Sequence, residues 1–283
     1  LTSITIPDSV TSIGDYAFQY CYSLVCVLNK SSVEFDVGDY GTSASSNPIL
    51  EIVSDESEMT NLVEINGNLY KDYNGERYFI KNLDGSSEIE IDSSCTQIYQ
   101  YAFSDRDDIT SVSIPDSVTS IGGSAFQECS SLTDVYYSGD INDWVSISFD
   151  IGSANPLYNG ANLYVNGNEL VTEANIDTAT SISAEAFLGC TSITSVTIGD
   201  QVTSIGNEAF RGCTSLTSVT IESNYAYINA DMGENWNDNY LLAHATEVRV
   251  LISCIEDSTN SYLENTANFT ETTDGDYTVY TKI

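Results

Sequence analysis

Hydrophobic and polar residues follow one pattern that returns along much of the chain. The first copy alternates apolar and polar residues through Ile4 and Ile6, and apolar residues then recur at wider intervals as far as Cys21. Its core, IPDSVTSIGDYAFQYC, returns from Ile114 to Cys129 as IPDSVTSIGGSAFQEC. Alternation predicts a short strand with every second side chain inward. The wider spacing favours an irregular or 3-10 segment behind it.

The repeat unit is 23 residues long, because the Phe residues of neighbouring Ala-Phe pairs, such as Phe103 and Phe126, lie 23 positions apart. On this frame the repeats start at Leu1, Leu24, Ser86, Ile109, Leu132, Leu170, Ile193 and Leu216. The breaks in the period predict inserts over 47–85 and 155–169, and the period fades into a cap at about 222–283. We expect residues 1–283 to form one solenoid, since such a repeat buries its apolar face only against neighbours.

The inserts and the cap carry strand signals of their own. The stretch NLVEINGNLYKDYNGERYFIK over 61–81 predicts a hairpin with Asn74-Gly75 as the turn, and NLYVNGNEL over 162–170 is a shorter echo of it. TEVRVLI and DYTVYTKI predict cap strands near the C-terminal end. Glu173 stands at an inward position, which predicts a one-residue slip that turns Ile176 inward.

The repeats LTSITIPDSVTSIGDYAFQYC and ITSVTIGDQVTSIGNEAFRGC resemble those of the BspA-like leucine-rich-repeat family. The resemblance covers roughly residues 1–28 and 86–222, and Tyr40-Gly41 departs from it where Ala-Phe belongs, which predicts a looser back face. It implies a leucine-rich-repeat solenoid with a parallel strand layer and a mostly irregular or 3-10 back face, here with a β-hairpin insert and a C-terminal β cap. It also implies a secreted or cell-surface bacterial protein of adhesion type.

The charge balance narrows the class of partner. Eight Lys and Arg residues stand against 42 Asp and Glu residues, a net charge of −34. Such a surface repels nucleic acid, anionic lipid and sulfated glycans. We therefore expect a host or microbial surface protein, or a neutral glycan, as the partner. No apolar run is long enough to insert into a membrane. Because Leu1 opens a repeat without a capping segment, we expect a trimmed fragment whose signal or anchor lies outside it.

The recurring cysteine raises the question of a metal site or disulfide framework. Cys21, Cys129, Cys190 and Cys213 share repeat position twenty-one, but other repeats carry other residues there. The total of seven is odd and no C-x-x-C occurs, so we interpret these cysteines as small core residues. Cys26 falls at an outward position. Either a local register shift buries it, or it is an exposed thiol able to pair with another chain.

Catalytic and cofactor signals are sparse. The single histidine, His244, lies in the cap region, and no nucleophile-elbow, dinucleotide or P-loop motif occurs. The acidic clusters over 72–76 and 105–108 lack the spacing of a twelve-residue calcium loop. We predict no catalytic residue, no cofactor and no metal. A carbohydrate-active enzyme stays a minor alternative, because 42 acids make any chosen pair of carboxylates arbitrary.

The remaining candidate is the outward face of the repeat strands. Its predicted ligand-binding residues are Glu88, Glu90, Ser111, Ser113, Asp134, Tyr136, Ser195 and Thr197. Tyr136 is a good aromatic anchor, whereas Trp144 replaces an Ile of the repeat and is expected in the core. Two alternatives stay open. Ser and Thr also suit exposed strands without binding anything, and the solenoid could be a structural spacer without a ligand.

Overall fold

The computed structural model describes residues 1–15, 17–34, 49–150, 153–222, 244–251 and 269–282. The expectation for Tyr40-Gly41 lies outside them. Their strands in chain order are β1 Ser3–Ile6, β2 Cys26–Asn29, β3 Glu51–Val53, β4 Leu62–Ile65, β5 Asn68–Tyr73, β6 Glu76–Asn82, β7 Glu88–Glu90, β8 Gln97–Ile98, β9 Ser111–Ile114, β10 Ser120–Ile121, β11 Asp134–Tyr137, β12 Ser148–Phe149, β13 Asn162–Val165, β14 Glu169–Leu170, β15 Glu173–Ile176, β16 Ser181–Ile182, β17 Ser195–Ile198, β18 Ser204–Ile205, β19 Ser218–Ile221, β20 Glu247–Leu251, β21 Phe269–Asp274 and β22 Tyr277–Lys282. A 3-10 turn spans Glu56–Glu58, and helix α1 spans Ile141–Trp144.

The repeat strands stack in parallel into three consecutive sheets. The first sheet has the order β1-β2-β3, and the second runs β7-β9-β11-β13 with β14 antiparallel at its edge. The third runs β15-β17-β19-β20 and closes with the antiparallel strands β22 and β21. The predicted solenoid and its C-terminal β cap are therefore confirmed.

A second layer lies behind the repeat strands. Two-residue strands form its backbone pairs, as where Ser120 and Ile121 of β10 pair with Gln97 and Ile98 of β8. The hairpin insert joins this layer, because β6 pairs in parallel with β8. The predicted Asn74-Gly75 turn is present, and a second Asn-Gly turn at 66–67 connects β4 to β5. Both residues of each turn have positive φ, which Asn and Gly tolerate best.

Phenylalanines stack between the two layers. Phe103 packs face to face between Phe79 and Phe126, with ring centroids 4.6 and 4.8 Å apart. Phe187 and Phe210 repeat the contact at 5.2 Å. Phe79 belongs to the insert and not to a 23-residue repeat, so the hairpin continues the core as well as the back layer.

The repeat that starts at Leu132 departs from the frame. Trp144 is buried, as expected, but it ends helix α1, and its Nε1 donates to the carbonyl of Ala186 at 2.9 Å. In the back layer, Phe149 instead occupies the position that Ile has in other repeats, and it pairs with Ile121. The helix, capped by the Asp140 side chain, delays the return of the chain to the back layer and so shifts the frame.

Residues 155–169, which the sequence predicts as an insert, contain a strand of the main layer. Strand β13 pairs in parallel with β11 and places Asn162 opposite Asp134. The one-residue slip in the next repeat is confirmed, because Glu173 pairs with Ser195 while Ala174 and Ile176 are buried.

Three of the four repeated cysteines are core residues, whereas Cys21 is only partly buried and packs against the core of the first repeat. Cys129, Cys190 and Cys213 are buried, and none of the described cysteines forms a disulfide. The thiol of Cys129 donates to the carbonyl of Phe103 at 3.1 Å, and that of Cys213 donates to the carbonyl of Phe187 at 3.2 Å. Each thiol thus fills a small apolar space and also satisfies a carbonyl of the preceding repeat.

Cys26 is also buried, but not by a register shift. It pairs with Ser3 in the expected register and keeps its outward position, beside Glu51 of β3. Lys71 of the hairpin lies over this face, with its Nζ 2.6 Å from Oε2 of Glu51 and 2.7 Å from the carbonyl oxygen of Thr60. Burial raises the pKa of Glu51, but hydrogen bonds led by that of Lys71 outweigh it and leave the pKa below its usual value. The hairpin insert therefore covers Cys26, and the hypothesis of an exposed thiol is wrong.

Candidate ligand-binding trough

Six of the eight predicted binding residues lie together on the second sheet. The strand register places Glu88, Ser111 and Asp134 in one row across β7, β9 and β11, and Glu90, Ser113 and Tyr136 in the next row. Ser195 and Thr197 lie on β17 of the third sheet. The predicted face is thus divided between two sheets.

The face of the second sheet has a depression, because the outward residues of its strand β9 are small. Ser111 and Ser113 lie between the two glutamates of β7 and the larger side chains of β11. Neighbouring strands are about 4.8 Å apart, so β7 and β11 are separated by about 10 Å. Serine hydroxyls therefore form the floor of a channel that runs along β9.

Two Asn-Gly turns form the sides of this channel. The turn between β4 and β5 contributes Asn66, and the turn between β13 and β14 contributes Gly167. Asn68, just after the first turn, donates from Nδ2 to the carbonyl of Glu90 at 2.8 Å, which fastens the hairpin to β7. We call this recess of about 380 Å3 and its continuation along β9 the trough. Its lining includes Asn66, Glu88, Glu90, Asp92, Ser111, Ser113, Tyr136, Gly167 and Asn168.

An aromatic pair borders the trough on the β11 side. The rings of Tyr136 and Tyr164 stack with centroids 4.8 Å apart and planes 23° apart. Tyr164 lies on β13, in the segment that the sequence predicts as an insert, so sequence reasoning missed it. The available signal was the echo between NLYVNGNEL and the hairpin sequence, which repeats both the strand residues and the Asn-Gly turn.

The carboxylates around the trough differ in their partners. Asp134 accepts a hydrogen bond from the Thr133 hydroxyl at 2.7 Å, which is the main reason why its pKa is lowered, and Asn162 donates to it at 3.4 Å. Glu88 and Glu90 are exposed, and neither forms a hydrogen bond or ion pair through its carboxylate within the described part of the chain. Their charges are free to meet a ligand.

Positive charge is scarce near the trough. No Lys or Arg lines it within the described ranges. Five of the eight basic residues of the chain already pair with carboxylates, and these are Lys71, Arg77, Arg106, Arg211 and Arg249. The trough is therefore a negatively charged recess with one aromatic side.

Ser195 and Thr197 line a separate recess of about 500 Å3. Its other contributors include Glu173, Asn175 and Glu222. The carboxylate of Glu222 accepts a hydrogen bond from the Tyr277 hydroxyl of the cap at 2.7 Å. The described lining of this recess includes neither an Asn-Gly turn nor an aromatic residue, so the structure distinguishes the two halves of the predicted face.

In each of the acidic clusters over 72–76 and 105–108, one carboxylate pairs with an arginine. Asp72 pairs with Arg77 and Asp108 with Arg106, each with a closest N–O distance of 2.6 Å. Within the described ranges, no group of three or more His, Cys, Asp and Glu side chains is arranged to hold a metal ion. His244 is exposed. None of the helices in the described ranges has the length and apolar character needed to cross a membrane.

Stacked parallel strands of 23-residue repeats, with a second layer behind them, define a leucine-rich-repeat solenoid. The family model for the BspA type leucine rich repeat region matches six copies over residues 1–47, 57–151 and 166–240. The chain therefore belongs to the BspA-type leucine-rich-repeat family. No functionally curated protein matches its sequence at a significant level.

Several solved structures are similar to the chain. A leucine rich cell surface protein from Faecalibacterium prausnitzii is 24% identical, with a TM-score of 0.37 over 82% of this chain and 50% of that protein. A leucine-rich repeat protein from Eubacterium ventriosum is 16% identical, with a TM-score of 0.37 over 92% and 60%. The pneumococcal vaccine antigen PcpA is 15% identical, with a TM-score of 0.36 over 79% and 57%. The chain spans about half the length of the first of these proteins.

Proposed function

We propose that this chain is the ligand-binding part of a secreted or cell-surface protein of adhesion type, and that it binds a host or microbial surface macromolecule in the trough. Membership of the BspA-type family supports the location, because its members are typically secreted or surface proteins. The observation that carries the binding role is the convergence of two Asn-Gly turns and five outward side chains on one recess, and these side chains are Glu88, Glu90, Ser111, Ser113 and Tyr136.

The alternatives predict a different surface. A spacer without a ligand needs only a soluble outer face and has no use for an aromatic pair and unpaired carboxylates in a recess. A carbohydrate-active enzyme needs converging carboxylates in a cleft. Here the carboxylate of Asp134 accepts hydrogen bonds from Thr133 and Asn162. Glu88 and Glu90 lie two residues apart on one strand and so do not face each other across a cleft. The trough therefore favours binding over catalysis.

The test is binding of the purified chain to immobilised matrix proteins, mucin and neutral glycans, with two matched variants. Ser111→Phe fills the floor of the trough, and Ser195→Phe makes the same change at the same repeat position on the third sheet. We expect saturable binding that the first change weakens at least about tenfold and the second leaves unchanged. Equal sensitivity to both changes, or no binding by the parent chain, would contradict the proposal.

A further inference from the structure

We infer that the occupant of the trough is an extended, basic polypeptide segment whose alternate lysine or arginine side chains point to the serine floor. This inference rests on the proposed function and names the class of ligand for the same site. It follows from the shape of the trough, its uncompensated charge and the position of one tyrosine ring.

The shape suits a single extended chain. Ser111 and Ser113 are two residues apart on β9 and are both directed outward, so they repeat every 6.6–6.8 Å or so along the channel. An extended peptide directs every second side chain to one side at the same interval. A peptide that runs along β9 can therefore place consecutive inward side chains over the two serines, between walls about 10 Å apart.

The charge selects basic side chains. Glu88 and Glu90 lie on one side of the floor at the same two-residue spacing, and each is exposed and forms no ion pair with a Lys or Arg of the described residues. Asp92, whose carboxylate accepts hydrogen bonds from the backbone N–H and the hydroxyl of Ser94, adds a third negative charge at the end of the recess. A lysine over each serine would meet one glutamate. A neutral ligand would leave the two glutamates without a charged partner, and an acidic ligand would be repelled.

The tyrosine ring supplies the opposite wall. One face of Tyr136 stacks on Tyr164, and the strand order places Ser113 on its other side. A cation above Ser113 would therefore lie between the carboxylate of Glu90 and the ring of Tyr136. Cations are attracted to the face of an aromatic ring, and more strongly when water is excluded. A carboxylate and an aromatic face together thus favour lysine and arginine over other side chains.

The test uses three labelled peptides in fluorescence anisotropy with the whole chain. The first alternates lysine with threonine, the second has the same composition with the lysines in adjacent pairs, and the third has glutamate in place of lysine. Two variants remove the same charge from different places: E88Q/E90Q in the trough, and E56Q/E58Q on the exposed 3-10 turn. All four positions are exposed, so thermal melting should show that both variants remain folded.

We expect the alternating peptide to bind more tightly than the paired one and the acidic peptide not to bind. E88Q/E90Q should weaken binding about tenfold, and E56Q/E58Q less than about twofold, because screening limits distant charges. Tyr136→Ala should also weaken binding.

Three results would overturn the inference. Equal losses in the two charge variants would show attraction to net charge alone. Failure of the alternating peptide to bind, while the chain still binds a partner of the panel in a Ser111-dependent way, would reject basic peptides and keep the proposed function. If a neutral glucan oligosaccharide binds, and its binding depends on Tyr136 but not on the two glutamates, the trough is a glycan site instead.

Discussion

The first repeat and the repeat that starts at Ile109 have almost the same sequence but very different burial. Ile4, Val10, Ile13 and Cys21 of the first repeat are only partly buried, whereas their counterparts Val112, Val118, Ile121 and Cys129 are at most 1% exposed. Within the described residues, β1 pairs only with β2, whereas β9 pairs with both β7 and β11. Burial at a repeat position thus depends on the neighbouring repeats, and we expect equivalent residues of the two repeats to contribute unequally to stability.

The largest expected difference concerns the phenylalanines of the two repeats. Phe126→Ala should lower the free energy of unfolding by about 3–5 kcal/mol, because it opens a cavity beside Phe103 in the stack. Phe18→Ala should cost less than about half of that, since residues around Phe18 are partly open to water and can relax. Denaturant unfolding of the two variants measures the difference. Equal costs would show that the first repeat is packed as tightly as the interior.

A smaller effect is expected at the glycine after the repeat Ile. A Cβ at Gly122 would lie 2.6 Å from the backbone nitrogen of Gln100 in the preceding repeat, whereas at Gly14 nothing lies within 4 Å among the described residues. Gly122→Ala should therefore cost about 1–3 kcal/mol of stability. Gly14→Ala should be neutral or stabilise by less than about 1 kcal/mol, through the unfolded state. Thermal melting of the pair checks this, and a destabilising Gly14→Ala would argue against an open first repeat.

The smallest expected effect is a difference in thiol reactivity between Cys21 and Cys129, which occupy the same position of the two repeats, and its test needs no substitution. Burial raises the pKa of Cys129 to about 12, so near neutral pH its thiolate is scarce and shielded. Cys21, which is partly exposed, should react with iodoacetamide well before Cys129 under native conditions. Peptide mapping by mass spectrometry after timed labelling separates the two sites. Labelling of both at the same rate would mean that interior repeats open as readily as the first one.

Much of the fold could be predicted because the same pattern of apolar and polar residues recurs in each repeat. Recurring Phe and Ile positions define a 23-residue frame, and Asn74-Gly75 predicts its turn correctly. The frame fails after Leu132, where Trp144 lies in helix α1 instead of at the Ile position of the repeat and Phe149 takes the place opposite Ile121. A short helix inside a repeat leaves no periodic signal, so only packing shows how many residues it adds.

The candidate site could be predicted only in part. Period-two alternation is enough to direct Glu88, Glu90, Ser111 and Ser113 outward, and their strands are consecutive, so their grouping follows. Alternation cannot show that Ser195 lies on a different sheet, since this depends on where β14 ends the second sheet. It also cannot show that Cys26, although outward, is covered by the hairpin.

The sequence by itself determined the repeat length, the inward and outward side chains, the acidic surface and the role of the recurring cysteines, because each depends on contacts within a repeat or between similar neighbours. Only the tertiary structure decided where the irregular segments lie. It brought the Asn-Gly turns at 66–67 and 166–167 to the same strands and placed Lys71 over Glu51. These contacts join residues with no common period, so their geometry arises from packing alone.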